Sequence, residues 1–248
     1  MIDLLRNSLR RSAFLLTSVA CLSATVAHAA FITGVVVSEV DDELNSGNDG
    51  EKTIDGDGLS GSPPVPFTTT HTRSFNEHWT TQDGTVEEAF IEWDLGDVYR
   101  LDLIHIWNYN LNDSSGTDVT NRGVQRVDIY YSAVTSGDPG DPEVPGVGNG
   151  DNWTLLFGGD SIFPEAPGAD SYVGFDLETQ VNIDLVVNAA RYVRFEIDTN
   201  FSDDIFGDHV GLSEVAFFGE LVPEPSALVL LVAGLPLLVL LVWRTKTR

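Results

Sequence analysis

The chain has 248 residues and carries 38 acidic against 13 basic side chains, a net charge of −25. A charge of that sign repels phosphate backbones and anionic lipid surfaces, which excludes nucleic acid as a partner. Its one cysteine, Cys21, falls in the first segment of the chain, so no disulfide, zinc-thiolate or cysteine-nucleophile chemistry is expected beyond it.

That first segment, 1–29, reads as a cleaved secretory signal peptide. Arg6, Arg10 and Arg11 form a basic start, Ala13 to Ala27 is uncharged and mostly apolar, and Ala27-His28-Ala29 supplies a small-x-small cleavage pattern. Its removal takes Cys21 with it. Between Ala30 and Pro223 only Lys52 and six arginines face 36 carboxylates, so the exported body carries −29.

The body, 30–221, is long enough for one domain with a sizeable core. Its apolar residues come in short runs separated by Gly, Pro, Asn and Asp, the rhythm of an all-β chain. Ile91, Trp93 and Leu95 alternate with Glu92 and Asp94; Val127, Ile129 and Tyr131 alternate with Asp128, Tyr130 and Ser132; Val193, Phe195 and Ile197 alternate with Arg194, Glu196 and Asp198. A period of two gives each of these strands one buried and one wet face. Further strands are expected at 31–38, 101–108, 153–157, 181–187 and 210–219, and a jelly-roll-like β-sandwich is the economical fold. The segments 41–62 and 136–151, rich in Gly, Pro and Asp without periodicity, are expected to be loops.

Within the body, Trp93, Trp107 and Tyr109 sit in or directly after apolar strands and read as core. Asn108 and Asn110 are placed to satisfy backbone groups where a strand becomes a loop, with Arg122 bracing it. Arg191 and Arg194 read as partners of nearby carboxylates, and His105 as a buried histidine. The richest aromatic loop is RSFNEHW, 73–79, in which Phe75, His78 and Trp79, beside Arg73 and Asn76, could stack on and fix a sugar ring. The alternative for Trp79 is a place in the core. Asn48, Asp49, Asp55 and Asp57 cluster among glycines and offer hard oxygens suited to calcium, though Pro66 stands where an EF-hand beginning at Asp55 would need its bidentate Glu. No G-x-S-x-G or H-E-x-x-H pattern occurs, and no catalytic residues are assigned.

The last segment, 222–248, opens with Pro223-Glu224-Pro225 and runs into 17 uncharged residues from Ala227 to Trp243, followed by Arg244, Lys246 and Arg248. As a helix, 227–243 reaches about 26 Å, just enough for a single transmembrane span, and the basic end would stay cytoplasmic. The two prolines hold the approach extended at the membrane face.

These three features together resemble the PEP-CTERM sorting signal of Gram-negative bacteria, also catalogued as an ice-binding-protein C-terminal segment. The resemblance implies an exosortase-type processing enzyme as partner, a transient inner-membrane anchor, and delivery to the cell surface or extracellular matrix. The body has its own resemblance. TIDGDGLSG (53–61), IEWDLGDVYRLDLIHIWNYN (91–110), NRGVQRVDIYYS (121–132), ARYVRFEI (190–197) and VGLSEVAFFGEL (210–221) are similar to the discoidin or coagulation-factor-5/8 C-terminal family of galactose-binding-like sandwiches. That family often holds a structural calcium, which maps onto Asp55 and Glu214, with Asp57 added from the local sequence. It departs from the family in one respect: the tryptophan that usually follows the DG loop closely is here Trp79, after an insertion from Ser60 to His78.

Three functions follow as expectations: a non-catalytic module binding an extracellular glycan or matrix component, a structural matrix protein stiffened by calcium, and, last, a hydrolase with scattered carboxylates. The sorting reading has a direct check. Intact mass spectrometry of protein extracted from the cell surface is expected to show a chain ending near Pro223-Glu224-Pro225. Leu237 to Arg248 still attached would refute it.

Overall fold

The structure, a computed structural model, describes residues 29–82, 84, 86, 89–111, 119–142, 152–158, 163–181, 187–202 and 209–223. Glu224, Pro225, the 227–243 segment and nearly all of the 1–29 segment lie outside them. Among the described residues no helix is long and apolar enough to cross a membrane.

The strands in chain order are β1 (Ala30–Phe31), β2 (Val36–Val40), β3 (Trp79–Thr80), β4 (Phe90–Asn108), β5 (Val124–Ser132), β6 (Trp153–Phe157), β7 (Phe175–Asp176), β8 (Val187–Asn200) and β9 (Gly211–Leu221). Among the described residues helix is confined to single turns and α1 (Leu177–Val181). The two runs expected at 91–95 and 101–108 are one strand of 19 residues. Its first half pairs antiparallel with β2 on one side and β8 on the other; its second half pairs with β9 and β7. Between them the register shifts at Asp94/Tyr99 and Tyr99/Leu101, and Gly96 takes φ +86°, a conformation that glycine adopts without steric cost. One layer is therefore β2-β4-β8-β5-β6 and the other is β9 flanked by β1 and β3 with the second half of β4 and β7.

The two layers close over one core. Trp93 on the first half of β4 packs edge-on against Phe195 of β8 at 4.9 Å and against Phe217 of β9 at 5.6 Å, so its ring joins the layers. Ile91, Leu95, Ile104, Ile106, Val193 and Ile197 complete the cluster around it, each essentially without solvent contact. The all-β sandwich and the core placement of Trp93, Trp107 and Tyr109 agree with the sequence pattern.

One strand expectation needs correction. The run 31–38 is split: β1 pairs with β9 and β2 with β4, and Gly34 at φ +78° lets the chain pass from one layer to the other. Of the run expected at 181–187, Val181 closes α1 and Val187 opens β8, and 182–186 lie outside the described residues.

The wet faces of β4 and β8 also differ from expectation. Glu92 and Arg194, register partners across the two strands, are only 2% and 3% exposed. The segment after β5 is tied to the start of β8 and to β6: Arg191 donates to the Thr135 carbonyl, the Tyr192 hydroxyl to the Gly137 carbonyl and the Trp153 indole to the Gly140 carbonyl. The Arg194 guanidinium bonds Glu196, lies 3.3 Å from Glu39 and 3.5 Å from Glu92, and sits 3.6 Å above the Phe90 ring. Burial raises the Glu92 carboxyl above the ordinary range, while the Ser38 hydroxyl, at 2.7 Å, and Arg194 pull it back.

A buried charge left without its partner costs more than the pair itself contributes. Arg194→Leu is expected to lower unfolding free energy by about 3 to 5 kcal/mol, and Arg194→Leu with Glu92→Leu to recover most of that loss. Urea titrations of the two variants check this; a double variant as unstable as the single one would show that packing, not charge, is at stake.

Candidate functional site

Loops at one end of the sandwich carry most of the residues singled out in the sequence, and buried side-chain amides hold these loops. Asn48 has no solvent exposure; its amide donates to the carbonyls of Phe75 at 2.7 Å and His78 at 3.0 Å, tying the 45–50 turn to the 74–78 turn. Asn110 does the same for another pair, donating to the Ala169 carbonyl at 2.9 Å and the His71 carbonyl at 3.3 Å. Asn108 donates to the carbonyls of Val124 and Pro164 and accepts from the N–H groups of Tyr109 and Val124. Asn108 and Asn110 thus have the backbone-satisfying role read from the sequence.

Of the three aromatic residues proposed to stack on a sugar, two are in the interior. Trp79 has no exposure and donates its indole N–H to the Asp42 carbonyl at 3.0 Å, the core alternative. His78 is equally buried. The Ser213 hydroxyl gives its one proton to the Asn108 carbonyl, so His78 Nδ1, 2.7 Å away, must donate to Ser213 and the ring is neutral, with Nε2 unpartnered. Burial, then the neighbouring His71, holds its pKa well below the ordinary value. The reason for the correction is the short strand β3, which pairs Trp79 with Leu212 of β9 and draws the end of the loop inward. Phe75 remains outside, 46% exposed. Arg73, expected beside it as a hydroxyl-binding group, is turned onto Asp170, with contacts of 3.1 and 3.2 Å.

Phe75 is flanked by Ser74 and Asn76, which line an open groove of about 610 Å³ together with Asn45, Ser46, Gly47, Lys52, Asp57 and Glu77. Gly47 permits a close approach there: a Cβ on it would stand 3.1 Å from the Asn45 and 3.6 Å from the Asn76 side-chain oxygens. Asn45, Ser46, Lys52, Ser74 and Glu77 were not singled out in the sequence. One signal was available, because Lys52 is the only lysine between Ala30 and Pro223 and stands among acids.

The acidic loop and Glu214 do meet. Glu214, on β9, is 3% exposed; its Oε1 accepts the Gly56 N–H at 3.2 Å and its Oε2 has no partner. Burial, then the charges of Asp55 and Asp57, raises its pKa well above the carboxylate range, the Gly56 hydrogen bond and Lys52 acting the other way. An orphaned oxygen beside two aspartates fits a hard cation. The Lys52 ammonium, however, lies 2.7 Å from Asp55 and 3.2 Å from Asp57, and the second Asp55 oxygen accepts the Asp57 N–H at 2.8 Å. Among the described residues no three histidine or acidic side chains converge on one point that could hold a metal. Asn48, counted among possible ligands, is committed to the Phe75 and His78 carbonyls.

His105 is buried, as read, between Asp176 at Nδ1 and the Val173 carbonyl, 2.8 Å from Nε2.

No family model matches the chain, and no curated protein matches it. Among solved structures it is similar to a fragment of a candidate chitobiase from Bacteroides thetaiotaomicron, at 17% identity over 82% of this chain and 98% of that one, with a TM-score of 0.49. It is also similar to a family 32 carbohydrate-binding module from Clostridium perfringens in complex with galactose, at 12% identity over 77% and 99%, with a TM-score of 0.46. A family 89 glycoside hydrolase of Clostridium perfringens matches at 21% identity over 79% of this chain, with a TM-score of 0.42, and the chain spans only 16% of that enzyme's length. With each of these scores under 0.5, the architecture rests on the strand pairing described above.

The pKa of Glu214 gives a sign to test. A carboxyl whose folded pKa is raised stabilises the fold fully only below its unfolded value, near 4.3, and loses that stability as pH climbs through the folded value. In chelator, Glu214→Gln is therefore expected to be the more stable form at about pH 8, with the difference closing toward about pH 4. A cation seated on the Glu214 carboxylate would reverse the order at about millimolar calcium. Thermal melts across this range decide it: an order that calcium leaves untouched takes the ion away from Glu214.

Proposed function

We propose that the body is a non-catalytic, galactose-binding-like module of an exported protein, and that it binds an extracellular glycan in the polar groove between the 45–57 and 74–77 segments. The observation that carries this reading is the groove itself: the amides of Asn45 and Asn76, the hydroxyls of Ser46 and Ser74, and the charges of Lys52, Asp57 and Glu77 line it, and Phe75, exposed, adjoins it in sequence between Ser74 and Asn76. A pyranose has a rim of hydroxyls for short polar side chains and one apolar face that an aromatic ring beside such a groove can cover. The export signal and the PEP-CTERM-like tail supply the address, with an exosortase-type enzyme as processing partner and the cell surface or extracellular matrix of a Gram-negative bacterium as destination. Calcium at Glu214 and Asp55, with Asp57 moving off Lys52 to join it, would be a structural cofactor.

A second reading has its own support. With Trp79 and His78 buried, only one of the three aromatic residues faces solvent, which suits an acidic building block of the matrix that binds no sugar. A glycan array with the full chain separates the two. Binding is expected, and Phe75→Ala or Asn76→Ala is expected to weaken it at least about tenfold, in keeping with the roughly 1.4 kcal/mol of a lost aromatic or hydrogen-bonded contact, while leaving the melting temperature unchanged. An array without binders would leave the structural role, and undiminished binding by both variants would move the sugar elsewhere.

A further inference from the structure

Resting on the groove as a glycan site, we propose a selectivity for it: glycans bearing free amino groups are preferred, and uronate-bearing glycans are excluded. Two carboxylates line the groove, Asp57 and Glu77, against one ammonium, Lys52. That ammonium is already engaged, since Lys52 Nζ is bound by Asp55 and Asp57 and its side chain is only 18% exposed. The Asp57 side chain, by contrast, is 66% exposed and can accept from a ligand. The remaining lining groups are Asn45, Ser46, Ser74, Asn76 and the Gly47 backbone, all uncharged.

Recognition of a carboxylate is best served by the planar fork of an arginine. No arginine lines the groove, and Arg73, adjoining it in sequence, is directed away to Asp170 and the Gly168 carbonyl. A uronate would therefore meet two carboxylates with no free cation, inside the field of a body carrying −29. A protonated amino sugar would meet the same two carboxylates as partners.

The test uses the full chain at about pH 6, where a primary amine is protonated. The probes are a glucosamine hexamer, its N-acetylated counterpart and a galacturonate hexamer. The glucosamine hexamer is expected to bind at least about fivefold more tightly than the N-acetylated one, an advantage that shrinks between about 50 and 300 mM salt, and the galacturonate hexamer not at all. Glu77→Gln and Asp57→Asn are each expected to cut that advantage about two- to fivefold, the measure of a partly exposed charge pair. Asp128→Asn and Asp198→Asn, which remove the same charge from β5 and β8, are expected to leave it intact. Equal loss in these control variants would reduce the effect to general attraction by an acidic protein and overturn the selectivity. So would galacturonate binding, or equal affinity for the two glucosamine hexamers, and in those cases sensitivity to Asn76→Ala would leave the groove standing as a glycan site. Binding of none of the three, nor of any glycan on the array, would overturn the glycan reading and this inference with it.

Discussion

The membership of β4 in both layers is the constraint on which the rest of the sandwich depends. A strand that pairs with β2 and β8 along its first half and with β9 and β7 along its second must turn its ladder between them, and the register shifts from Asp94 to Leu101 absorb that turn. Trp93 is then carried onto the seam, where one indole touches β8 and β9 together and donates its N–H to the Thr53 hydroxyl at 2.9 Å. The last bond matters for the groove, because Thr53 closes the Gly50–Thr53 turn that presents Lys52. Core geometry is thereby transmitted to the loop end through one side chain.

Loops of this kind have few ladder bonds of their own, so their backbone groups must be met by side chains. Asn48, Asn108 and Asn110 do this from fully buried positions. An amide offers two donors and an acceptor in one plane without charge, so it can bridge several carbonyls at a lower desolvation cost than a lysine or carboxylate. The same economy explains the buried, neutral His78, fixed by Ser213 rather than exposed to ligand.

What was legible in the sequence was what depends on period and local chemistry. The alternation of Ile91, Trp93 and Leu95 fixes which side of β4 faces the core, and the apolar setting of His105 anticipated its burial. The burial of Glu92 and Arg194 on the polar side was not legible because period two distinguishes faces but is silent on what packs against them; Glu92 meets Ser38, 54 positions away, and Arg194 meets Glu39, 155 positions away, and the Phe90 ring. Trp79 and His78 fell inward for a related reason, since a two-residue strand such as β3 leaves no periodic trace and is formed only by its partner β9. Lys52 escaped notice because an acidic loop reads as a cation site whether the cation is an ion or a side chain of the chain itself.

That last ambiguity concerns the whole charge balance. Lys52, Arg73, Arg100, Arg191 and Arg194, among the body's few cations, are each held by carboxylates. Several join segments far apart in the chain, with Arg73 and Asp170 separated by 97 residues, Arg191 and Asp94 by 97, and Arg194 and Glu39 by 155. Exposed pairs such as Arg73–Asp170 contribute little, about 0 to 1 kcal/mol each, while the buried Arg194 cluster is costly to break. The scarce positive charges thus act locally, as ties between segments. With 36 carboxylates against seven cations between Ala30 and Pro223, any ligand approaching the loop end meets a field that is negative overall, to which Asp57 and Glu77 contribute directly, and the chain's own cations cannot reverse it.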